Sequence, residues 1–223
     1  MVDSMTSAGP LGPPSVETMR FGGLRIDFDD SVLRPRPWTT AQSYWSAELL
    51  RDAPAGPVLE LCAGAGQIGL LAIAELERDL VLVDIDSTAC RFARANARRA
   101  GLANRVVVRH AALEDALTTD ERFVFVIADP PWVPSGHVGT FPRDPLLAID
   151  GGPDGLGPAW ACLNVIAAHL VEDGSAIIQL GSDEQVGRMR ERLRTDRGLG
   201  LDIVESRSVG RRGVLVLLAR AMG

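Results

Sequence analysis

The sequence contains no lysine, so all 23 of its basic residues are arginines. The 29 acidic residues outnumber them, and the formal net charge is -6. A chain with this excess of negative charge is a poor general partner for a nucleic-acid backbone, although a local basic patch is compatible with it. We therefore do not expect nucleic acid to be the main partner.

The chain also lacks long apolar segments and has few cysteines. No run reaches the roughly 18 residues that a membrane-spanning helix needs, and residues 1–15 lack the pattern of a secretory signal. We therefore expect a cytoplasmic protein without a membrane partner. Cys62, Cys90 and Cys162 form neither a disulfide framework nor a paired zinc spacing, so no metal is expected and they are interpreted as small buried residues.

The 223 residues are sufficient for one α/β domain with a full core. From Pro57 onward, apolar strands alternate with helical segments, a pattern that predicts a doubly wound parallel sheet. Strands are predicted at residues 58–62, 80–83, 105–109, 123–128, 176–180, 201–206 and 214–220, helices at 67–76, 87–100, 113–117, 157–171 and 184–194, and a long loop at 130–155. The link between the last two strands is too short for a parallel crossover, so that pair is expected to be antiparallel. This seven-stranded, Rossmann-like α/β sheet resembles the class I fold of methyltransferases that use S-adenosylmethionine (SAM).

Three segments are expected along the chain. Residues 1–18 are rich in Pro, Gly and Ser and are predicted to be disordered. Residues 19–52 are predicted to form a hairpin and a helix, capped by Thr39 or Thr40, which together make a lip over the substrate cleft. Residues 53–223 are predicted to be the SAM-binding methyltransferase domain.

A glycine-rich turn, Glu60 to Gly66, follows the first of the alternating strands. Ligands in doubly wound sheets bind beyond the C-terminal strand ends, and a glycine such as Gly64 lets the backbone approach them closely. Asp84 ends the next strand, where a carboxylate can accept both ribose hydroxyls of a nucleoside or, alternatively, cap a helix. Capping is the favoured interpretation of Asp86, and Glu60 could hold the donor's amino group or orient the loop. Dinucleotide sites share these features, so they predict a nucleoside without choosing between cofactors.

A second candidate site follows the strand at 123–128, where the chain reads Asp129-Pro130-Pro131-Trp132. An amide or aromatic amine is a weak nucleophile, so methyl transfer depends on aiming its lone pair along the carbon–sulfur axis. The Asp129 side chain and the Pro130 carbonyl can accept its N–H groups, and the Trp132 ring can stack on a planar substrate. A proline-rich turn with a core tryptophan is the alternative. The functional interpretation is favoured because a donor-like site precedes this turn.

Three motifs occur in a fixed order: Val32–Thr39 reads VLRPRPWT, Asp129–Trp132 reads DPPW, and Asp144–Leu156 reads DPLLAIDGGPDGL. They are similar to V-L-I-P-R-P-E-T, N-P-P-Y and E-P-x-x-A-L-x-G-G-x-D-G-L of one family. That family is the protein-glutamine N-methyltransferases, which modify release factors and some ribosomal proteins. The resemblance implies a SAM-dependent N-methyltransferase that acts on a glutamine side-chain amide of a protein.

Several positions depart from the family's pattern. Asp129 replaces its Asn, Trp38 replaces its Glu, and Ala112 stands where an acidic residue often lies near the adenine, with Glu114 or Asp115 as substitutes. The family's helical N-terminal domain is also not expected ahead of the hairpin. An anion at position 129 would stabilise the charge of a methylated amine. A small-molecule amine or amide of specialised metabolism is therefore the alternative acceptor, an adenine amine of RNA or DNA is the second, and a non-catalytic SAM-binding scaffold is a different class.

The site residues are predicted as three sets. Catalysis is assigned to Asp129, Pro130 and Trp132. Binding of the cofactor SAM is assigned to Glu60, Cys62, Ala63, Gly64, Gly66, Asp84, Ile85, Ala112, Leu113 and Asp129. Binding of the methyl acceptor, a protein or a small molecule, is assigned to Arg36, Pro37, Trp38, Pro131, Trp132, His137 and Arg143. Ion pairing is the alternative for the two arginines, and simple solvation is the alternative for His137.

Overall fold

The computed structural model describes residues 15–210 and 212–221. It begins with an antiparallel hairpin of β1 (Glu17–Phe21) and β2 (Leu24–Phe28), where the sequence predicts one. The first two residues of β1 belong to the segment that was expected to be disordered, so that expectation is wrong for them. The rest of it, on residues 1–14, lies outside the described residues.

The main sheet contains the seven strands that follow the hairpin. They are β3 (Val58–Leu61), β4 (Leu80–Asp84), β5 (Val106–His110), β6 (Phe123–Ala128), β7 (Leu170–Leu180), β8 (Leu201–Ser208) and β9 (Val214–Arg220). Their order is β5-β4-β3-β6-β7-β9-β8. Strands β3 to β7 pair in parallel, and β9 runs antiparallel to both of its neighbours. The predicted fold, a doubly wound sheet with an antiparallel last strand, is confirmed.

Helices connect the strands. The α-helices of the described chain are α1 (Thr40–Asp52), α2 (Gln67–Ile73), α3 (Ser87–Arg99), α4 (Leu146–Ile149), α5 (Gly157–His169) and α6 (Asp183–Thr195). The helix predicted at 113–117 is a single 3-10 turn, Leu113–Asp115. The loop predicted at 130–155 contains α4 and a 3-10 helix, Ser135–Thr140. The two helices within this loop are too short to show the periodic apolar pattern from which a helix is predicted.

Local hydrogen bonds decide the helix starts. Asp86 caps α3, since its carboxylate accepts a hydrogen bond from Thr88 N at 2.7 Å, as predicted. Thr39 occupies the N-cap position of α1, as predicted, but its side chain forms no capping hydrogen bond. The Thr39 hydroxyl donates to Arg36 O at 2.9 Å, and the Thr40 hydroxyl donates to Pro37 O at 2.8 Å.

Two apolar layers cover the sheet, because the central strands β3 and β6 are buried on both faces. Alternate residues of β3 enter different layers: Val58 packs with α1, α2 and α3, and Leu59 packs with α5 and α6. Burial on both faces explains why these strands read as nearly continuous apolar runs. Within the described residues, no helix combines the length and the apolar character that crossing a membrane requires.

Candidate functional site

Three neighbouring strands end at one edge of the sheet, in the order β4-β3-β6. β3 ends just before Cys62, β4 ends at Asp84, and β6 ends just before Asp129. From β3 the chain runs outward through β4 and β5, and it then crosses to β6 on the opposite side of β3. Such a reversal opens a crevice beyond the strand ends.

Two cavities open along this edge. The larger cavity has a volume of about 520 Å³. Seven of the ten predicted SAM-binding residues line it: Cys62, Gly64, Asp84, Ile85, Ala112, Leu113 and Asp129. Further wall residues come from the segment before α1 and from the long loop, among them Val32, Leu33, Pro145, Leu147 and Ala148. Pro131, which was predicted to bind the acceptor, also lines this cavity.

The charged groups on the wall of the larger cavity are all acidic. They are Asp84, Asp86, Glu114, Asp129 and Asp150, and none of the described lining residues is basic. A pyrophosphate would be repelled there, whereas a nucleoside that carries positive charge would be stabilised. This charge pattern separates the site from a dinucleotide site, which the glycine-rich turn alone does not. Glu114 is also an acidic side chain near the position where Ala112 departs from the family's pattern.

Asp84 is held by the turn that it faces. Its carboxylate accepts hydrogen bonds from Gly64 N at 2.7 Å and from Asp86 N at 2.8 Å. Burial raises the pKa of Asp84, and these two bonds oppose the rise. A carboxylate has about four acceptor positions, so capacity remains for the hydroxyls of a ligand. The neighbouring Ile85 side chain is 56% exposed and offers an apolar surface to a planar base.

Glu60 lies beneath the glycine-rich turn. It is buried, and its Oε2 accepts a hydrogen bond from Gly69 N at 3.0 Å. A Cβ at Gly69 would lie 2.3 Å from that oxygen, so the contact requires glycine. Burial raises the pKa of Glu60 well above its usual range, and Asp129 and Asp84 add to the rise. These contacts correspond to the loop-orienting alternative, and a direct bond from Glu60 to a bound donor stays a prediction.

The other turn residues differ in exposure. Ala63 is buried, and Gly66 starts α2 in a left-handed conformation at φ 79°. Cys62 has φ 56° without being glycine. It is half-buried and not fully buried as expected, and its thiol lies 4.0 Å from that of Cys162. The contact with Cys162 and burial both raise the pKa of the Cys62 thiol.

The smaller cavity has a volume of about 170 Å³ and shares part of its wall with the larger one. Aromatic side chains on its wall are Trp38, Trp132 and Phe141, and polar ones are Arg36, Thr39, Asp129, Asp144 and Gln179. Asp129 lines both cavities, as do Leu33 and Ala148. The two predicted sites are therefore adjacent and meet at Asp129.

Asp129 is half-buried at this junction. Burial raises the pKa of its carboxyl group to about 7. Both protonation states are therefore populated near neutral pH. The ionised group accepts hydrogen bonds only, and the protonated group also donates one.

Trp132 is fixed by contacts from α6 and from the end of the long loop. The Gln185 side chain donates to Trp132 O at 3.0 Å and to Gly155 O at 3.2 Å, and it accepts from Gly181 N at 2.7 Å. A Cβ at Gly155 would lie 2.3 Å from Trp132 O, and one at Gly181 would lie 2.4 Å from the Trp132 ring. Both approaches require glycine, so the position of Trp132 depends on them.

The predicted acceptor residues fall into two groups. Arg36 and Trp38 line the smaller cavity, where Arg36 forms an ion pair with Asp144. Arg36 and Arg212 lie 5.6 Å and 4.9 Å from the centroid of the Trp38 ring. Three other predicted contacts are exposed and lie on neither cavity wall: Pro37, His137 and Arg143. The assignment of these three to the site is not supported: Pro37 and His137 lie in short 3-10 helices, Arg143 lies in a turn, and all three face solvent.

Three glutamines belong to the site although the sequence reasoning missed them. Gln42 of α1 donates to Ala128 O at 3.0 Å and to Ile177 O at 3.3 Å. Gln67 lines the larger cavity, and its buried Oε1 has no partner among the described residues. Gln179 lines the smaller cavity. An amide within an otherwise apolar pattern was the available signal, because a buried amide needs partners.

Comparison with known proteins agrees with this geometry. Residues 45–141 match the family model described as the methyltransferase small domain. The described part of the chain also has the fold of solved methyltransferases. The domain is similar in fold to the ribosomal protein L11 methylase of Lactobacillus delbrueckii, with a TM-score of 0.61, 16% identity, and coverage of 86% of this chain and 82% of that one. The human methyltransferase 10 domain containing protein is also similar in fold, with a TM-score of 0.62, 17% identity, and coverage of 90% of this chain and 90% of that one.

Curated relatives of the methyltransferase domain confirm the resemblance that the motifs predicted. The ribosomal protein uL3 glutamine methyltransferase of Francisella tularensis is 29% identical over 74% of this chain and 54% of its own length. The uL3 enzyme of Bradyrhizobium diazoefficiens is 33% identical, with coverages of 74% and 55%. The release factor glutamine methyltransferase of Rhodopirellula baltica is 29% identical, with coverages of 72% and 57%. The chain thus spans just over half the length of these relatives.

Proposed function

We propose that the chain is a SAM-dependent N-methyltransferase that modifies a glutamine side-chain amide of a protein. The single observation that carries this proposal is that Asp129 lines both cavities at the switch point of the sheet. The larger cavity would hold SAM and the smaller cavity the acceptor nitrogen, so the methyl group would cross beside Asp129. The relatives named for glutamine methylation of uL3 and of release factors support the acceptor class. Those substrates also support a place of action in the cytoplasm.

The residues of the larger cavity fit SAM. Asp84 would bind the ribose hydroxyls, and Ile85 and Leu113 would pack on the adenine. The unpartnered Gln67 Oε1 offers an acceptor to an ammonium group. The acidic wall favours the positive charges of SAM, which when bound supplies an electrophilic methyl group on a sulfonium.

The residues of the smaller cavity would position and polarise the acceptor. The Asp129 carboxylate and the Pro130 carbonyl accept the two N–H bonds, which aims the nitrogen lone pair toward the larger cavity. Asp129 stabilises the positive charge that develops on the nitrogen and can take the proton that it loses, since its pKa is about 7. Trp132 packs against the planar group. No covalent intermediate with the chain is required.

A second candidate acceptor is a small-molecule amine. The observation that favours it is the carboxylic acid at position 129, where the glutamine methyltransferases have an amide. A carboxylate stabilises the cation formed from an amine more strongly than an amide does. The volume of the smaller cavity, about 170 Å³, also admits a compact head group.

The test is transfer of a labelled methyl group from SAM into a lysate that is then separated into protein, nucleic acid and small molecules. Purified uL3 and release factor serve as defined acceptors, and Asp129→Ala is the inactive control. Label mapped to a glutamine supports the proposal. Because the chain has no lysine, self-methylation of lysine cannot contribute to a labelled protein band. Label only among small molecules would favour the amine, label in nucleic acid would favour an adenine amine, and SAM binding without transfer would indicate a scaffold.

A further inference from the structure

We propose that Gln179 is a specificity-determining residue that binds the carboxamide edge of the methyl acceptor. This inference rests on the proposed function and extends it from the class of acceptor to a side chain that selects it. Gln179 belongs to none of the motifs in the sequence, and it is outside the region matched by the methyltransferase family model.

The strand register brings Gln179 next to Asp129. β6 and β7 are parallel neighbours, and Ala128 is paired with Ile178. Asp129, just past the end of β6, and Gln179, on β7, each follow this pair by one residue. Residues that are paired in this way have their side chains on the same face of a sheet. Both side chains accordingly line the smaller cavity.

The Gln179 side chain is buried but has no partner of its own. The residue is 3% exposed, and no described residue forms a hydrogen bond with its amide. The other buried glutamines near this edge bind backbone and line neither cavity: the Gln42 amide nitrogen donates to Ala128 O and Ile177 O, while its Oε1 has no partner among the described residues, and Gln185 donates to Trp132 O. Within the described residues, neither amide atom of Gln179 is a buried atom without a partner, so the amide stays accessible from the cavity that the residue lines and has hydrogen-bonding capacity there.

The hydrogen-bonding groups of Gln179 and Asp129 complement a carboxamide. In its ionised form Asp129 only accepts, so that form can bind the N–H of an acceptor but not its carbonyl oxygen. The amide of Gln179 supplies the missing donor and a further acceptor. A glutamine side chain presents an N–H beside a carbonyl oxygen, which matches this pair. A glutamate would place a second carboxylate beside Asp129, and a methionine would leave the amide of Gln179 unpaired.

The test measures binding rather than turnover. The probes are the N-acetyl, N′-methylamide derivatives of glutamine, glutamate and methionine, together with adenosine, titrated by NMR into protein saturated with S-adenosylhomocysteine. We expect the glutamine probe to bind about tenfold more tightly than the methionine probe, as one to two buried hydrogen bonds predict. In Gln179→Leu, this preference is expected to fall to less than about twofold. Gln179→Glu, which keeps the size of the side chain but loses its donor, is a second variant in case Gln179→Leu does not fold. Glu184→Ala, an exposed change on α6, is the matched control.

Either of two results would overturn the assignment. One is a wild-type protein that does not prefer the glutamine probe, including one that binds adenosine best or binds no probe. The other is an undiminished preference in a folded variant with normal affinity for S-adenosylhomocysteine. The proposed function is decided separately by methyl transfer. A wild type that transfers no methyl group to protein, yet prefers the glutamine probe through Gln179, would refute the function and keep the recognition role.

Discussion

Asn96 and Asp27 are hydrogen-bonded in both directions, although 69 residues separate them along the chain. The Asp27 N–H donates to Asn96 Oδ1 at 2.8 Å, and Asn96 Nδ2 donates to Asp27 O at 3.0 Å. The same amide donates to Ala65 O, in the glycine-rich turn, at 2.9 Å. Asn96 is fully buried, so one side chain fastens the N-terminal hairpin to the wall of the proposed SAM site.

Removal of this amide is expected to affect both stability and cofactor affinity. Asn96→Ala leaves the three backbone groups without partners and should lower the free energy of unfolding by about 1–3 kcal/mol. Affinity for S-adenosylhomocysteine should fall as the turn loses its anchor. Chemical denaturation and calorimetric titration measure the two effects. Asn104→Ala, an exposed asparagine just beyond α3, is the control. Equal cofactor affinity in a destabilised Asn96→Ala protein would contradict the coupling.

Asp129 is expected to govern turnover far more than cofactor binding. Asp129→Ala removes the acceptor for the substrate N–H and should reduce the rate of transfer by roughly 100-fold or more. Affinity for S-adenosylhomocysteine should change less than about threefold, because Asp84 and Ile85 remain. Radiolabel transfer and calorimetry give the two numbers. Retained turnover in Asp129→Ala would refute its role.

The pH dependence of stability should carry the signature of Asp129. Burial raises the pKa of its carboxyl group from 3.8 to about 7, so the folded state holds an extra proton between those values and stability falls as pH rises through them. Asp129→Asn should be more stable than wild type at pH 8, by on the order of 1–4 kcal/mol, and equal to it near pH 4. Glu60 and Asp84, which lie nearby with raised pKa values, are present in both proteins and largely cancel. Chemical denaturation of both proteins at a series of pH values measures the effect. A difference in unfolding free energy between Asp129→Asn and wild type that stays constant from pH 4 to 8 would argue against the raised pKa.

Gly155 should be intolerant of a side chain although it lies outside both cavities. It has φ 73°, and a Cβ would meet Trp132 O and the Gln185 amide at 2.3 Å and 2.4 Å. Gly155→Ala should therefore destabilise the protein by about 1–3 kcal/mol and lower turnover by displacing Trp132. Gly136→Ala, in the same loop with open space around its Cβ, is the matched control. Thermal melts and transfer rates that do not differ between the two variants would exclude this role.

The sequence predicts most of the sheet and of the donor site, but less of the acceptor site. β6 and β9 begin and end at the predicted residues because both are mostly buried apolar runs, with Arg122 and Asp129 flanking β6 and Gly213 preceding β9. β7 begins six residues earlier than predicted, since its first half, Leu170–Ser175, is interrupted by Glu172, Asp173 and Gly174 and joins β6 across an irregular register. A strand segment that is held by backbone hydrogen bonds, without a regular pattern of buried apolar side chains, is difficult to predict from the sequence.

Long-range contacts explain why the acceptor site was harder to predict. His137 and Arg143 have suitable chemistry but face solvent, whereas Gln179 lies on the cavity wall through the pairing of β6 with β7. The spacing of the motifs along the sequence does not reveal which residues of β6 and β7 are paired. Trp38 and Trp132, each within a motif that resembles a known family, both line the smaller cavity, and their contact with the acceptor stays a prediction.

The ion pair between Arg36 and Asp144 joins two segments that are 108 residues apart across the wall of the smaller cavity. Under the proposed function, this cavity, with a volume of about 170 Å³, has room for one side chain and not for a folded backbone. A protein acceptor must then offer its glutamine at the tip of a protruding loop, with the neighbouring residues outside the rim. The backbone shape of the partner would therefore restrict which glutamines can reach Asp129. Glutamines within helices or sheets would not be modified.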